Sequence, residues 1–175
     1  MSAAPRRLLV VWHSFTGATA AMVEALLQGA RESTGDSVQV IALRAADAGA
    51  DDDAGADDVL AADAVVFATP ETLASMSGAM KDFFDRSYYP LLGRCEGKPY
   101  ALLVCAGSDG EPTIAQLRRV ALGLRLKEVA EPVLVCTQAQ TAEAIVAGKK
   151  LPELQLARGR ELGALLAAGL ELGVF

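Results

Sequence analysis

The sequence predicts an α/β fold: a single domain over residues 1–175, built on a doubly wound sheet of five parallel strands. Three observations carry this. Five short apolar runs recur along the chain, each about the length of a strand. None alternates strictly between apolar and polar, as expected of strands buried on both faces. Segments with helical apolar spacing lie between the runs, and short joins between alternating strands and helices imply right-handed crossovers. A length of 175 residues fits one domain, and a hydrophobic content of 52% supplies a sizeable core.

The elements follow in order. "MSAAP" reads as a disordered tip, and "RLLVVW" (Arg7–Trp12) as the first strand. Two arginines before an apolar run also open a secretory signal, but this run is short and lacks a small-residue cleavage site. Met22, Ala25, Leu26 and Gly29 form the stripe of a first helix, and "VQVIAL" (Val38–Leu43) is the second strand. The next crossover, Arg44–Ala64, is low in complexity and holds seven aspartates, six of them between Asp47 and Asp58. Alanine and glycine interleave the acids, which favours a solvated connection with one short helix around Asp57–Ala62 over a calcium loop. "AVVFA" (Ala64–Ala68) is the third strand, and Met76, Met80, Phe83 and Phe84 mark the helix after it. Ser75 or Ser77 is positioned to cap that helix. "YALLVCA" (Tyr100–Ala106) is the fourth strand; Ile114, Leu117, Val120, Ala121 and Leu124 mark its helix. "PVLVCT" (Pro132–Thr137) is the fifth strand, and Leu151–Gly173 the closing amphipathic helix, with Pro152 in its first turn.

Charge and composition exclude several functions. The net charge is -6 and no lysine or arginine cluster exceeds a pair, which argues against a nucleic-acid partner. No apolar stretch approaches the length of a membrane span. Cys95, Cys105 and Cys136 are odd in number and lack short-range spacing, the pattern of free thiols in a reducing cytoplasm. A single histidine argues against a His-based zinc site, and no metal is expected.

Ligands of open α/β sheets bind beyond the carboxyl ends of the strands. After the first strand comes "SFTGAT" (Ser14–Thr19), with three hydroxyls and Gly17 at a helix start. A helix N-terminus offers unpaired N–H groups and a positive dipole end to an anion. With no lysine or arginine in the loop, a phosphate monoester held by neutral donors fits better than a nucleoside triphosphate, whose P-loop signature is absent. An ordinary N-cap at Thr16 or Thr19 is the alternative. After the third strand comes "ATPETLASMSGAMKDFFDR" (Ala68–Arg86), and after the fourth "AGSDGEPT" (Ala106–Thr113), whose glycines and Asp109 are ordinary turn residues taken alone. His13 reads as a side chain packed under the first loop, with a phosphate donor or proton source as the other reading.

"S-x-T-G-x-T" after a first strand resembles the FMN-phosphate loop of the flavodoxin-like superfamily. "TPE…SMSGAMKDFFDR" is similar to the strand-three segment of flavodoxin-family proteins related to NADPH-dependent FMN reductases and to quinone reductases of the tryptophan-repressor-binding-protein type. The resemblance implies a three-layer sandwich with strand order 2-1-3-4-5, FMN as cofactor and NAD(P)H as co-substrate. It implies that Ser14, Phe15 (through its backbone N–H), Thr16, Gly17, Ala18 and Thr19 hold the FMN phosphate. Thr69, Pro70, Glu71 and Thr72 would border the isoalloxazine, with Ser75, Met76 and Ser77 closing that side. Ala106, Gly107, Ser108 and Asp109 would line the other flank. One departure stands out: Leu73 and Ser75 occupy positions where related loops carry aromatics beside the flavin. An aromatic platform contributes about 1 kcal/mol beyond area burial.

The function so implied is electron transfer from NAD(P)H through FMN to a quinone or similar small acceptor, in a cytoplasmic homo-oligomer. No Ser/His/Asp or Cys/His set calls for a catalytic side chain, which agrees with chemistry carried by a flavin. A flavodoxin-type electron carrier and a flavin-less binding protein on the same fold are the alternatives. The apolar "SYYPLLG" (Ser87–Gly93) is either a subunit interface or core. A response-regulator receiver lacks its acids here, since the ends of strands one and three read "VWHS" and "FATP". A low-molecular-weight tyrosine phosphatase lacks its nucleophile, since "HSFTGAT" has no cysteine and no closing arginine.

Overall fold

Parallel strands and covering helices alternate in the computed structural model, which describes residues 4–47 and 55–175. The chain runs β1 (Arg6–Trp12), α1 (Ala18–Thr34), a 3₁₀ turn (Gly35–Ser37), β2 (Val38–Arg44), α2 (Ala56–Ala61), β3 (Ala64–Thr72), β4 (Ser75–Met76) and α3 (Gly78–Leu91). It continues through β5 (Pro99–Ala106), α4 (Glu111–Gly123), β6 (Lys127–Glu128), β7 (Val133–Cys136), α5 (Ala142–Val146) and α6 (Glu153–Leu172). The N-terminal tip at residues 1–3 and the acidic stretch at 48–54, with Asp51, Asp52 and Asp53, lie outside the described residues. The short helix expected near Asp57–Ala62 is α2.

The sheet order is β2-β1-β3-β5, and the fifth position is shared by β6 and β7. The five-strand order 2-1-3-4-5 is thus observed, with its last strand in two pieces. β6 pairs with Pro99 and Tyr100, and β7 pairs with Leu103 to Ala106. Between them the chain leaves the sheet at Val129–Pro132, where a proline has no N–H to give to the ladder. β4 is a further addition, paired antiparallel with the end of β3. Leu73 and Ala74 join β3 to β4 with φ of 52° and 59°. Two positive φ values are the geometry of a type I′ hairpin, which glycine and asparagine usually supply.

Consecutive residues of β1 serve opposite layers. Leu8 and Val10 pack with α1 and α6, while Leu9 and Val11 pack with α2, α3 and α4. This two-sided burial is why the apolar runs do not alternate. Met76 shares the second core but belongs to β4, so the helix stripe begins only at Met80, Phe83 and Phe84. Ser77 is the N-cap of α3, its Oγ accepting from the Met80 N–H at 3.3 Å. Pro152 stands one residue before α6, at the N-cap. The segment Ser87–Gly93 divides: Ser87 and Leu91 are buried, whereas Tyr88, Tyr89 and Leu92 are exposed.

α1 and α6 approach unusually closely through glycine. A Cβ built on Gly29 would run into the Arg160 carbonyl, and one on Gly163 into the Leu26 carbonyl. A Cβ on Gly159 would lie 3.0 Å from the Met22 carbonyl oxygen. Helix α6 therefore sets the position of α1, the helix that begins at the first loop. Among the described residues, no helix is long and apolar enough to cross a membrane, and no group of three or more His, Cys, Asp or Glu side chains is placed to hold a metal.

Candidate functional site

The carboxyl ends of β1, β3, β5 and β7 surround one cleft of about 630 Å³. Its first wall is the loop Ser14–Thr19. Gly17 takes φ 94°, a left-handed conformation open to glycine, and turns the chain into α1. The Gly17 N–H donates to Ser14 Oγ at 3.2 Å, and no acidic side chain stands in the first turn of α1. Thr19 lines the cleft with only 1% of its surface exposed, and its Oγ1 has no hydrogen-bond partner of good geometry among the described residues, only the nearby Cys105 thiol, a weak one. A buried hydroxyl with no better partner than a thiol is uncommon and calls for an explanation. At a helix N-terminus, a bound anion supplies one.

The second wall is Pro70, Glu71, Thr72 and Leu73. The Glu71 carboxylate accepts from Gly110 N–H at 3.3 Å and from Thr113 Oγ1 at 2.8 Å. It therefore straps this wall to the N-terminus of α4, where the helix dipole favours its charge. Gln116 adds a second strap: its Oε1 accepts from Ser75 Oγ at 2.9 Å and Met76 N–H at 3.0 Å. Thr69, Ser75, Met76 and Ser77 stand behind the cleft surface rather than on it. Thr69 Oγ1 lies 3.0 Å from the Pro70 carbonyl and 3.2 Å from Ser77 Oγ, and accepts from Ser77 N–H at 3.1 Å. Their hydroxyls are spent on one another and on the α3 cap, so they brace the wall.

The third wall is Ala106, Gly107 and Ser108. Asp109 turns away from it, and its Oδ1 accepts from Glu111 N–H at 3.2 Å as a turn residue before α4. Cys105 forms part of the floor. Burial pushes its thiol up to about 12, with the nearby Thr19 hydroxyl opposing. At neutral pH it is a protonated, weakly polar side chain and no nucleophile. His13 does not line the cleft. It is buried with its ring edge-on to Phe15 at 4.5 Å, and burial, then the Arg44 charge, pull its pKa down. This is the packed side chain of the sequence reading.

The sequence reading missed a fourth wall. Thr137, Ala139, Gln140, Ile145, Val146 and Lys149 also line the cleft, all from the segment that follows β7. Thr137 and Gln138 donate their N–H groups to Ala106 and Gly107 carbonyls at 2.9 and 2.7 Å, which lays this segment along the third wall. Thr141 caps the five-residue α5 by accepting from Ala144 N–H. Lys149 Nζ donates to the carbonyls of Ala144, Ile145 and Ala147, and Lys149 N–H donates to Thr16 O at 2.8 Å in the first loop. The signal available was positional: the segment follows a strand's carboxyl end, where ligands of this architecture bind.

Hydroxyls, main-chain N–H groups and aliphatic side chains dominate the finished cleft. Phe15 is the only aromatic residue on its described surface, and the site holds no nucleophile paired with a base. Its volume falls within the span of about 300–1,000 Å³ usual for small-molecule sites. Such an arrangement offers neutral donors at one end and a largely apolar surface beyond them.

The NADPH-dependent FMN reductase family model matches residues 12–141. No curated protein sequence matches the chain. Among solved structures, an archaeal flavodoxin is 20% identical with a TM-score of 0.70, over 94% of this chain and 99% of its own. A WrbA-like flavodoxin protein from Agrobacterium tumefaciens is 21% identical with a TM-score of 0.65, over 95% of this chain and 98% of its own. An azoreductase from Bacillus anthracis str. Sterne is 16% identical with a TM-score of 0.69, over 93% of this chain and 98% of its own. These likenesses establish the flavodoxin-like fold. The family match spans most of the chain: it belongs to the NADPH-dependent FMN reductase family, whose cofactors are FMN and NAD(P)H.

Proposed function

We propose that this member of the NADPH-dependent FMN reductase family binds FMN in the 630 Å³ cleft and passes electrons from NAD(P)H to a quinone or a similar small acceptor. The observation that carries the reading is the buried Thr19 hydroxyl at the start of α1 beside the left-handed Gly17, with nothing but the weak Cys105 thiol near it. It fits a phosphate monoester bound by neutral donors. Ser14, Thr16 and Thr19 supply hydroxyls there, and Phe15, Gly17 and Ala18 supply backbone. Pro70, Glu71 and Thr72 border the ring system on one flank, and Ala106, Gly107 and Ser108 on the other. Thr69, Ser75, Met76, Ser77 and Asp109 act behind these walls as positioning residues. When bound, FMN supplies the hydride and electron chemistry, and the chain supplies binding, orientation and exclusion of water.

Two features of the walls favour this use. Glu71 is held by Gly110 and Thr113, so its carboxylate is directed into the α4 terminus and away from an anionic ligand. The neutral Cys105 thiol gives the floor an uncharged surface with no competing nucleophile. Three free cysteines accord with a reducing cytoplasm, and the exposed Tyr88, Tyr89 and Leu92 are the face through which a homo-oligomer would form.

The test is spectroscopic. The purified chain, loaded with FMN, should show bound-flavin absorption that bleaches anaerobically on adding NADPH or NADH and returns on adding a quinone. Protein that neither retains FMN nor binds it on titration overturns the reading. Bound FMN that neither nicotinamide reduces overturns the reductase assignment.

A further inference from the structure

We propose that the segment Thr137–Lys149 is a fourth contact surface for the bound flavin, with Ile145 and Val146 against its apolar part. They do there what aromatic side chains would do from the Thr72–Ser75 hairpin. This rests on the reading that the cleft holds FMN. Its two apolar side chains, Ile145 and Val146, lie on α5, which begins at Ala142, after the end of the family match at residue 141.

Three observations carry it. First, α5 has no residue in the core, yet Ile145 and Val146 line the cleft while 53% and 75% exposed. A five-residue helix is far below the length that is stable alone, and burial of these two side chains does not hold it. Second, what holds it is polar. Thr141 caps its start, Lys149 Nζ closes its last carbonyls, and Lys149 N–H bonds Thr16 O in the very loop that would grip the phosphate. The Lys149 carbonyl lies 3.8 Å from the Cβ position of Gly17. The chain thus fixes an apolar surface against the site before anything covers it. Third, the second wall offers Leu73, 96% exposed at the hairpin tip, and no aromatic ring. Apolar area left open at two walls of one cleft is area that a flat apolar ligand removes from water.

The experiment uses the full chain and FMN. Affinity is measured by ultrafiltration and flavin absorbance, so that it does not depend on emission. The double variant Ile145→Ser/Val146→Ser removes apolar side chains that already face solvent, so circular dichroism and thermal unfolding should match the parent. FMN should bind on the order of tenfold more weakly. In parallel, Ile145→Trp places an indole on this surface, and an indole in contact with a flavin quenches its emission by electron transfer. Bound FMN should be darker in Ile145→Trp than in the parent, while Leu172→Trp, at the far end of α6, should leave it unchanged. Parent protein that does not bind FMN overturns the flavin reading and this proposal together. Parent protein that binds FMN, with the double variant within twofold of it and no added quenching in Ile145→Trp, overturns this proposal alone.

Discussion

Gly163→Ala is the sharpest probe of how α6 positions the site. In an exposed helix interior the change from glycine to alanine stabilises by up to about 1 kcal/mol. At Gly163 the added methyl meets the Leu26 carbonyl, and the Ala30 N–H lies 3.0 Å from the same Cβ position. Both obstacles are backbone of α1, so no rotamer change relieves them and the helices must separate. Overpacking of a filled core costs about 1–3 kcal/mol, and a backbone obstacle places this site at the upper end. Subtracting the propensity gain leaves a net loss of about 2 kcal/mol, or a fall of about 4–8 °C in Tm for a chain of this size. Thermal unfolding followed by circular dichroism measures it. Gly123→Ala in α4 is the internal control: no atom lies within 4 Å of its Cβ position, so it should be neutral or stabilising. Because α1 begins at the loop proposed to hold the FMN phosphate, Gly163→Ala should also weaken FMN binding, whereas Gly123→Ala should not. A Gly163→Ala protein as stable as the parent would refute the close-packed α1–α6 contact.

Three further outcomes are expected. Replacing the hairpin pair by Leu73→Asn/Ala74→Gly removes two left-handed non-glycine residues and should raise stability by about 1–2 kcal/mol, read from the urea midpoint; an unchanged or lower midpoint contradicts the turn geometry. Glu71→Ala leaves the Gly110 N–H and the fully buried Thr113 hydroxyl without their acceptor and should cost about 2–3 kcal/mol, while Glu71→Gln should restore part of this; equal loss in both variants would mean that the strap works through charge alone. Stability should fall with pH in two windows. His13, its pKa lowered by burial, resists a proton that the unfolded chain takes up below about 6.5, so stability declines from there downward and His13→Gln flattens that limb. The Arg118 guanidinium holds the Glu128 carboxyl low, so that pair's contribution is complete above 4.5 and fades as pH falls through the lowered value; Glu128→Gln should shrink this second limb, leaving the part carried by Asp63, which, against burial, the Arg7 N–H and Arg6 also hold low.

The parallel sheet was readable because burial on both faces leaves a mark in composition: Leu8 to Val11 are all apolar because alternate residues serve different layers. The position of the first loop was readable for a different reason: it follows the carboxyl end of a strand, and Ser14, Thr16 and Thr19 do line the cleft there. What escaped is short or directional. β4 is two residues and α5 is five, too little for a period to appear. Met76 sits four residues before Met80, which mimics a helical turn, yet Ser77 caps the helix after it. Thr69 and Ser77 carry the residue types of a binding loop, but sequence does not say which way a hydroxyl points, and these two point at each other. The glycines of α6 look like weak points in an apolar stripe until Gly159 and Gly163 are seen against α1.

The divided fifth strand has a consequence for how copies of this chain can meet. An outer strand offers a row of open N–H and C=O groups to any extended neighbour, and long, flat ones invite unwanted pairing. Here that border is two short pieces, Lys127–Glu128 and Val133–Cys136, separated by a stretch ending in proline. Neither piece is long enough to template a foreign strand, and Lys127 and Glu128 place opposite charges on the first. On this side the molecule guards itself against edge-to-edge aggregation, and any association of copies is left to side-chain surfaces.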